Sequence, residues 1–270
     1  MEGDRFAAGS AAWLARLGSL RNVVRQEVVR RQLQVALPPP GGRVLDVGAG
    51  QGTQAIALAR QGFAVDAVEP DAGMREALAD TLAREPDEAV VGRVRLFPGG
   101  LDDVAALGRS GGYQLVLCHG VLMYLDSPDQ AVATLCAQVA PGGALSVVAR
   151  NGAAIAWRPA VRGDWPGVLS MLEELDSAAQ EGRDPRYRNE IGVEARADSV
   201  EHVAALAAAE GLLDSEWFGV RVATDGVAVE APVPADTAEL AALLDAEEAL
   251  GRTDPYRRMG TLFHLVARRR

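Results

Sequence analysis

Short aliphatic runs recur along the first 150 positions, and stretches of helical periodicity separate them. RVLDV at 43–47, FAVDAVE at 63–69, GRVRLF at 92–97, YQLVLCHG at 113–120 and ALSVVAR at 144–150 read as strands. Between them, TQAIALARQ, PDAGMREALADTLARE, GGLDDVAALG and DQAVATLCAQVA read as helices. Runs this apolar suit strands buried on both faces, and the alternation gives βαβ units with a parallel sheet. Upstream, LRNVVRQEVVRRQLQVAL at 20–37 sets Val23, Val24, Val28, Leu33 and Val35 among Arg25, Arg30 and Arg31. This is an amphipathic helix, stopped by Pro38-Pro39-Pro40-Gly41-Gly42. After Arg150 the rhythm breaks. Residues 151–200 are rich in Trp, Arg, Pro and Asp, with a helical stretch at MLEELDSAAQ. A helix at 198–212, a strand at 212–224, a helix at 237–250 and a last strand at 261–270 bring the expected strands to seven.

Composition narrows the picture. A 49% hydrophobic share with only 5% aromatic residues means an aliphatic core, which excludes global disorder. Two cysteines exclude a disulfide scaffold. They and three scattered histidines lack metal-ligand spacing, so no metal is expected. No apolar run approaches the ~18 residues of a membrane span, and MEGDRFAAGS carries no signal core. The expected location is therefore cytoplasmic. All 27 basic residues are arginine, which excludes Schiff-base and Walker lysine chemistry. The net charge of −10 is uneven: residues 201–250 hold 11 acids against one arginine, whereas residues 251–270 hold six arginines against one acid. That pattern opposes a broad nucleic-acid surface but leaves room for a local anion site.

The candidate chemistry starts at the first strand. Gly48, Gly50 and Gly52 in VLDVGAGQG form a tight turn into a helix, a place where backbone can approach a nucleotide-like ligand. A dinucleotide fingerprint needs glycine at 53, where this chain has Thr53. Glu69 ends the second strand about 20 residues on, where an acid accepts from both ribose hydroxyls. Asp46 precedes the loop, and Pro70, Asp71 and Met74 stand where an adenine could be flanked. An acid-rich site without a phosphate lysine fits S-adenosylmethionine, a sulfonium cation with no pyrophosphate, better than NAD or ATP.

VLDVGAGQG, VEPDAGM, LFPGGLDD, YQLVLCHGVLMYLDSP and VAPGG, in this order, resemble the motifs of class I methyltransferases. That resemblance implies a Rossmann-like α/β fold: a seven-stranded, mostly parallel sheet with helices on both faces. LRNVVRQEVV, CHGVLMYLDSP, ARNGAAIAWRPAVRGDW and the tail LLDAEEALGRTDPYRRMGTLFHLVARR are similar to the bacterial tRNA 5-carboxymethoxyuridine methyltransferases. The similarity spans 20–155 and 240–269 and is poor over 165–235. It implies methyl transfer from S-adenosylmethionine to a carboxylate on a tRNA wobble uridine, leaving S-adenosylhomocysteine. It also implies cofactor contacts at Arg25, Gly48, Ala49, Glu69, Leu101, Asp102 and His119; Asp46, Gly50, Pro70 and Met74 join them from the reading above. The family's lysine-rich stretch falls on EGRDPRYRNEIGVEARADS, which holds four arginines and five acids. RNA affinity leans on phosphate neutralisation, so a small metabolite stands beside tRNA as the acceptor.

His119 and Arg150, ending the fourth and fifth strands, are the catalytic candidates, because open α/β sheets bind ligands at strand carboxyl ends. Tyr124, Asn151, Tyr256 and Arg257 are candidate acceptor contacts, the last two as an anion-binding rim. His264 is expected to be structural and His202 exposed. The expected division is a helical lid at 1–40, a cofactor-binding core at 41–150, a substrate-side insertion at 151–200 and a remainder at 201–270 that completes the sheet.

Overall fold

In β1 (Arg43–Val47), four of five residues are buried, so the strand lies deep within a sheet. The computed structural model describes residues 9–107, 111–189, 191–228 and 230–270. The first eight residues of the expected lid, Gly108 at the end of an expected helix, and Glu190 in the poorly matching stretch lie outside the described residues. With β2 (Ala64–Glu69), β3 (Val94–Pro98), β4 (Tyr113–His119), β5 (Val139–Arg150), β8 (Asp214–Val220) and β9 (Leu262–Arg268), β1 builds a seven-stranded sheet of order β3-β2-β1-β4-β5-β9-β8. β9 is antiparallel to both β5 and β8, and the other pairs among the described strands of this sheet are parallel. The order reverses between β1 and β4, which opens a crevice above their carboxyl ends.

Alternate residues of each strand feed two cores. Leu45, Val47, Val116, Cys118, Leu145, Val147 and Phe263 face α6 (Pro128–Cys136) and α9 (Val200–Ala209). Val44, Leu115, Leu117, Ala144 and Val266 face α3 (Thr53–Arg60) and Leu78 of α4 (Ala72–Ala83). The helices begin at local caps: Asp71 accepts from the Met74 N–H, Ser127 from Gln130 and Ser199 from His202.

The N-terminal periodicity becomes α2 (Leu20–Gln32), preceded by the short α1 (Ser10–Leu14). Leu20, Val24 and Val28 pack on Leu244 of α10 (Thr237–Arg252), and Val29 packs on Val148, Val220 and Leu262. The segment expected as a lid therefore shares the core of the C-terminal strands. Two boundaries differ from expectation. Residues expected to open the third strand form α5 (Glu88–Arg93), capped by Asp87. The Pro141-Gly142-Gly143 turn lies inside β5, which begins at Val139. The insertion comprises α7 (Trp157–Val161), α8 (Trp165–Glu181) and a hairpin of β6 (Arg186–Arg188) with β7 (Glu194–Arg196). Arg196 pairs with Asp198 and donates to the carbonyls of Leu122 and Leu125, which ties the hairpin to the crevice.

Candidate active site

A cavity of about 910 Å³ opens above the carboxyl ends of β1, β2, β4 and β5. Ligand pockets run to roughly 300–1,000 Å³, so it is large enough for a nucleoside-sized cofactor with a small acceptor.

The turn after β1 builds one end. Gly48 has φ +71°, and a Cβ there would meet Val121 Cγ2 at 2.2 Å. Gly52 has φ +85°, and a Cβ would meet Leu78 at 2.6 Å. Both positions need glycine for conformation and for space. Glu69 accepts from the Gly50 N–H at 2.7 Å and from the Asp71 N–H at 2.9 Å, so it holds the loop against β2. Asp46 is 3% exposed and makes no hydrogen bond among the described residues. Burial, then the nearby Glu69 carboxylate, push it up to about 7. Burial also raises Glu69, against the two amides it accepts from. Two buried carboxylates at one loop are a site prepared for a cation.

Arginines build the other end. Arg25, on α2, donates to the His119 carbonyl at 3.4 Å, and Trp13 of α1 covers it, 5.1 Å from guanidinium carbon to ring centroid. Trp13 Nε1 donates to Gln51 in the glycine turn, so α1 bridges both ends of the cavity. Burial, then Arg221, lower Arg25 to about 10. Arg150 is 3% exposed, lies 5.0 Å from the Tyr187 ring, and makes no hydrogen bond or ion pair among the described residues. Arg21, Arg158 and Arg221 gather around Asp225. Burial would raise Asp225, but Arg221, Arg158 and the Thr261 hydroxyl outweigh it and hold it at about 2. Arg221 adopts φ +59°, the left-handed region that a side chain enters at a cost.

His119 lines the cavity between the two ends. Its Nε2 lies 2.7 Å from Ser146 Oγ, and its Nδ1 is buried without a partner among the described residues. Burial, then His264 and Arg25, hold it well below the ordinary histidine range, so the ring is neutral at pH 7. Tyr124 accepts from Asn189 Nδ2 at 2.8 Å, and burial raises its phenol.

The structure thus gathers Arg25, Asp46, Gly48, Ala49, Gly50, Glu69, Pro70, Leu101, Asp102, His119, Tyr124 and Arg150 around one cavity. Four candidates are elsewhere. Met74 is fully buried, because its place in the first turn of α4 turns it inward; Arg75 lines the cavity instead. Asn151 is 2% exposed and spent on structure: its Nδ2 donates to the Arg258 and Gly260 carbonyls, and its Oδ1 accepts from Ala153. Tyr256 is 52% exposed, outside the cavity. Arg257 is held by Asp254 and stacks 4.2 Å from the Trp217 ring, on the outer side of β8. His264 is buried and hydrogen-bonded, and His202 is exposed. Trp13, Tyr187, Asn189, Arg158 and Arg221 went unseen as site residues. For Arg158, Tyr187 and Asn189 the sequence signal was the Trp- and Arg-rich composition of 151–200; Trp13 and Arg221 lie outside that stretch.

A sequence model described as "Methyltransferase domain" matches residues 22–211. The chain belongs to that family. The methyltransferase is 26% identical over 262 residues to the Escherichia coli K12 tRNA 5-carboxymethoxyuridine methyltransferase, covering 93% of this chain and 90% of that one. It is 30% identical over 174 residues to the ubiquinone biosynthesis O-methyltransferase of Xanthomonas axonopodis pv. citri, covering 59% and 65%. An S-adenosylmethionine-dependent methyltransferase from Thermotoga maritima superposes with TM-score 0.61 at 15% identity, covering both chains entirely. Phosphoethanolamine N-methyltransferase 2 of Haemonchus contortus, solved with S-adenosyl-L-methionine, superposes with TM-score 0.55 at 14% identity, covering 90% and 52%. The fold is the Rossmann-like class I methyltransferase fold, and the enzyme uses S-adenosylmethionine. Among the described residues, no helix is long and apolar enough to cross a membrane.

Proposed function

We propose that this methyltransferase esterifies a carboxylate on a small acid. The observation that carries this reading is Arg150: a guanidinium 3% exposed, on the cavity wall, with no hydrogen bond or ion pair among the described residues. An unpaired buried cation is costly, and a carboxylate in a bidentate pair satisfies it. His119 supports the reading too. A neutral imidazole held well below its usual range is a poor general base, and an ionised carboxylate needs none.

In this reading Asp46 and Glu69 hold the sulfonium nucleoside, Glu69 at the ribose, with Pro70, Leu101 and Asp102 beside the adenine. Arg25 and His119 take its amino-acid end, and Arg150 with Tyr124 orients the acceptor. Of the four segments, the described residues of 1–40 cover the site, those of 41–150 bind the cofactor, those of 151–200 close the acceptor side and those of 201–270 complete the sheet. The cofactor, when bound, supplies an electrophilic methyl group; an O–CH₃ bond forms, an S–CH₃ bond breaks and no proton moves. The protein's part is to align carboxylate and methyl in one line and exclude water.

A second reading, a carboxylated uridine in tRNA, is favoured by the similarity over 93% of the chain to the Escherichia coli tRNA enzyme. Methyl-labelled S-adenosylmethionine, incubated with separate tRNA and small-molecule fractions, distinguishes them. Label in the small-molecule fraction, released as methanol by mild base, is expected. Base-labile label in tRNA selects the second reading, and base-stable label in either fraction overturns carboxylate transfer.

A further inference from the structure

Behind His119 a chain of hydrogen bonds crosses the sheet to the last residue of α2. His119 Nε2 lies 2.7 Å from Ser146 Oγ on β5. Ser146 Oγ lies 2.8 Å from His264 Nε2 on β9, and His264 Nδ1 lies 3.0 Å from Gln32 Oε1. Gln32 Nε2 donates to the Gly219 carbonyl at 3.1 Å. Ser146, His264 and Gln32 have no solvent exposure.

The chain has a direction, and its far end sets it. A carbonyl only accepts, so the Gln32 amide must turn its NH₂ to Gly219; the flipped amide would set two carbonyl oxygens against each other. Gln32 Oε1 therefore faces His264 Nδ1, which must carry a proton. His264 is neutral: burial, then Arg252, lower it to about 3. Its Nε2 is then bare and accepts the Ser146 hydroxyl proton. With its single hydrogen spent, Ser146 can only accept from His119, so His119 is protonated on Nε2. Its Nδ1 is left bare, and that atom is buried with no partner among the described residues.

We propose that Gln32, His264 and Ser146 are positioning residues that lock His119 as its Nε2–H tautomer, so that Nδ1 stands as a hydrogen-bond acceptor for the α-ammonium of the cofactor. The second half rests on placing the cofactor's amino-acid end at Arg25 and His119. Helix α2 would then hold both sides of this contact: Arg25 donates to the His119 backbone carbonyl, and Gln32, two helical turns on, sets the ring. A zwitterionic amino acid needs one donor and one acceptor, and Arg25 with bare Nδ1 supplies that pair. The opposite tautomer would set an N–H against the ammonium.

Side-chain ¹⁵N NMR of the full chain tests the two halves separately. In the ligand-free protein, His119 should show a bare Nδ1 and a protonated Nε2. Gln32→Met keeps the size and apolar contacts of Gln32 but removes the acceptor, and Ser146→Ala cuts the chain. Either change should give a mixture of His119 tautomers and weaken S-adenosylhomocysteine binding about fivefold, the worth of one hydrogen bond. Merely packing residues would leave the tautomer alone. A wild-type His119 protonated on Nδ1, or a tautomer unchanged in both variants, overturns the lock; the wild-type measurement stands even if a variant fails to fold. S-adenosylhomocysteine should shift the Nδ1 signal and methylthioadenosine, which lacks the amino-acid end, should not. Equal shifts overturn the ammonium contact while leaving the lock in place.

Discussion

Replacing Arg150 by Met should weaken function and strengthen the fold. Arg150 is 3% exposed and gains the Tyr187 face, at 5.0 Å, together with the longer-range field of Asp225, which Arg221 opposes. That stacking contributes roughly 0.5–2 kcal/mol. Taking the guanidinium out of water costs several kcal/mol, and burial lowers its pKa for the same reason. Met keeps the length of the stem and removes the charge, so the ligand-free variant should gain about 1–3 kcal/mol. For a chain of this size each kcal/mol moves the melting point by roughly 2–4 °C, so a rise of about 2–12 °C is expected by calorimetry. Loss of a charge-assisted pair to the acceptor costs about 1.5–3 kcal/mol, or roughly 10- to 150-fold in kcat/KM. That is read as methyl transfer into the fraction that the wild-type enzyme labels. Arg150→Lys keeps the charge but loses the planar fork, and should recover only part of the rate. A variant that melts below the wild type and transfers methyl at the wild-type rate would refute the reasoning, because Arg150 would then be a structural cation.

Asp46 gives a pH test. Its folded pKa of about 7 lies above its unfolded value, so the native state holds the extra proton between about pH 4 and 7. The ligand-free protein should therefore lose stability as pH rises through that window, and Asp46→Asn should flatten the loss. S-adenosylmethionine, a cation, should bind more tightly above pH 7 and release a proton on binding near it, measurable by calorimetry in buffers of different ionisation enthalpy. Gly48→Ala should abolish cofactor binding, since its Cβ would meet Val121 at 2.2 Å on a backbone of φ +71°; a folded variant that binds S-adenosylhomocysteine normally would contradict this. Deleting residues 1–18 removes Trp13 but leaves α2, so a folded protein with weaker cofactor affinity is expected. Deletion through residue 38 also removes Val24, Val28, Val29 and Leu33, all at most 2% exposed. At about 1.5–3 kcal/mol each, their loss is comparable to a typical total stability of roughly 5–15 kcal/mol. That protein should fail to fold, and circular dichroism decides it.

What the sequence revealed and what it hid divide along a physical line. Asp46, the glycine turn and Glu69 were legible because strand end, turn and helix start are local and the sheet sets their spacing. At the end of β5 the reading went only half way. Arg150 and Asn151 are consecutive, and neighbouring strand residues point to opposite sides, so at most one could face the cavity; Asn151 instead caps the following 3-10 turn. Met74 and Arg75 are likewise adjacent on α4, and only the rotation of the helix decides which one reaches the site. Trp13, Tyr187 and Arg221 arrive from elements without clear periodicity. Their positions depend on long-range ties such as Arg196 to the Leu122 and Leu125 carbonyls. The outer placement of Arg257 is also tertiary: Asp254 and the Trp217 ring hold it away from the crevice.

The distribution of charge connects these pieces. Acids stand at the ends of β1 and β2 and after β3, on one side of the order reversal; Arg25, Arg150, Arg158 and Arg221 stand toward β4, β5 and β8 on the other. A sulfonium cation and an anionic acceptor would each meet the opposite charge, and the transferred methyl would lie where the two meet. Arginine suits the acceptor side, because its planar fork binds a carboxylate at two points and its flat face stacks on Tyr187. The chain as a whole carries a net charge of −10. At physiological salt that field fades over about 8 Å. A small anion that has reached the mouth is then governed by the local arginines. A tRNA would span many such lengths and would meet the net negative charge over all of them. An architecture that would draw in a small acid would therefore disfavour a polyanion, which is the physical ground for proposing the first acceptor over the second.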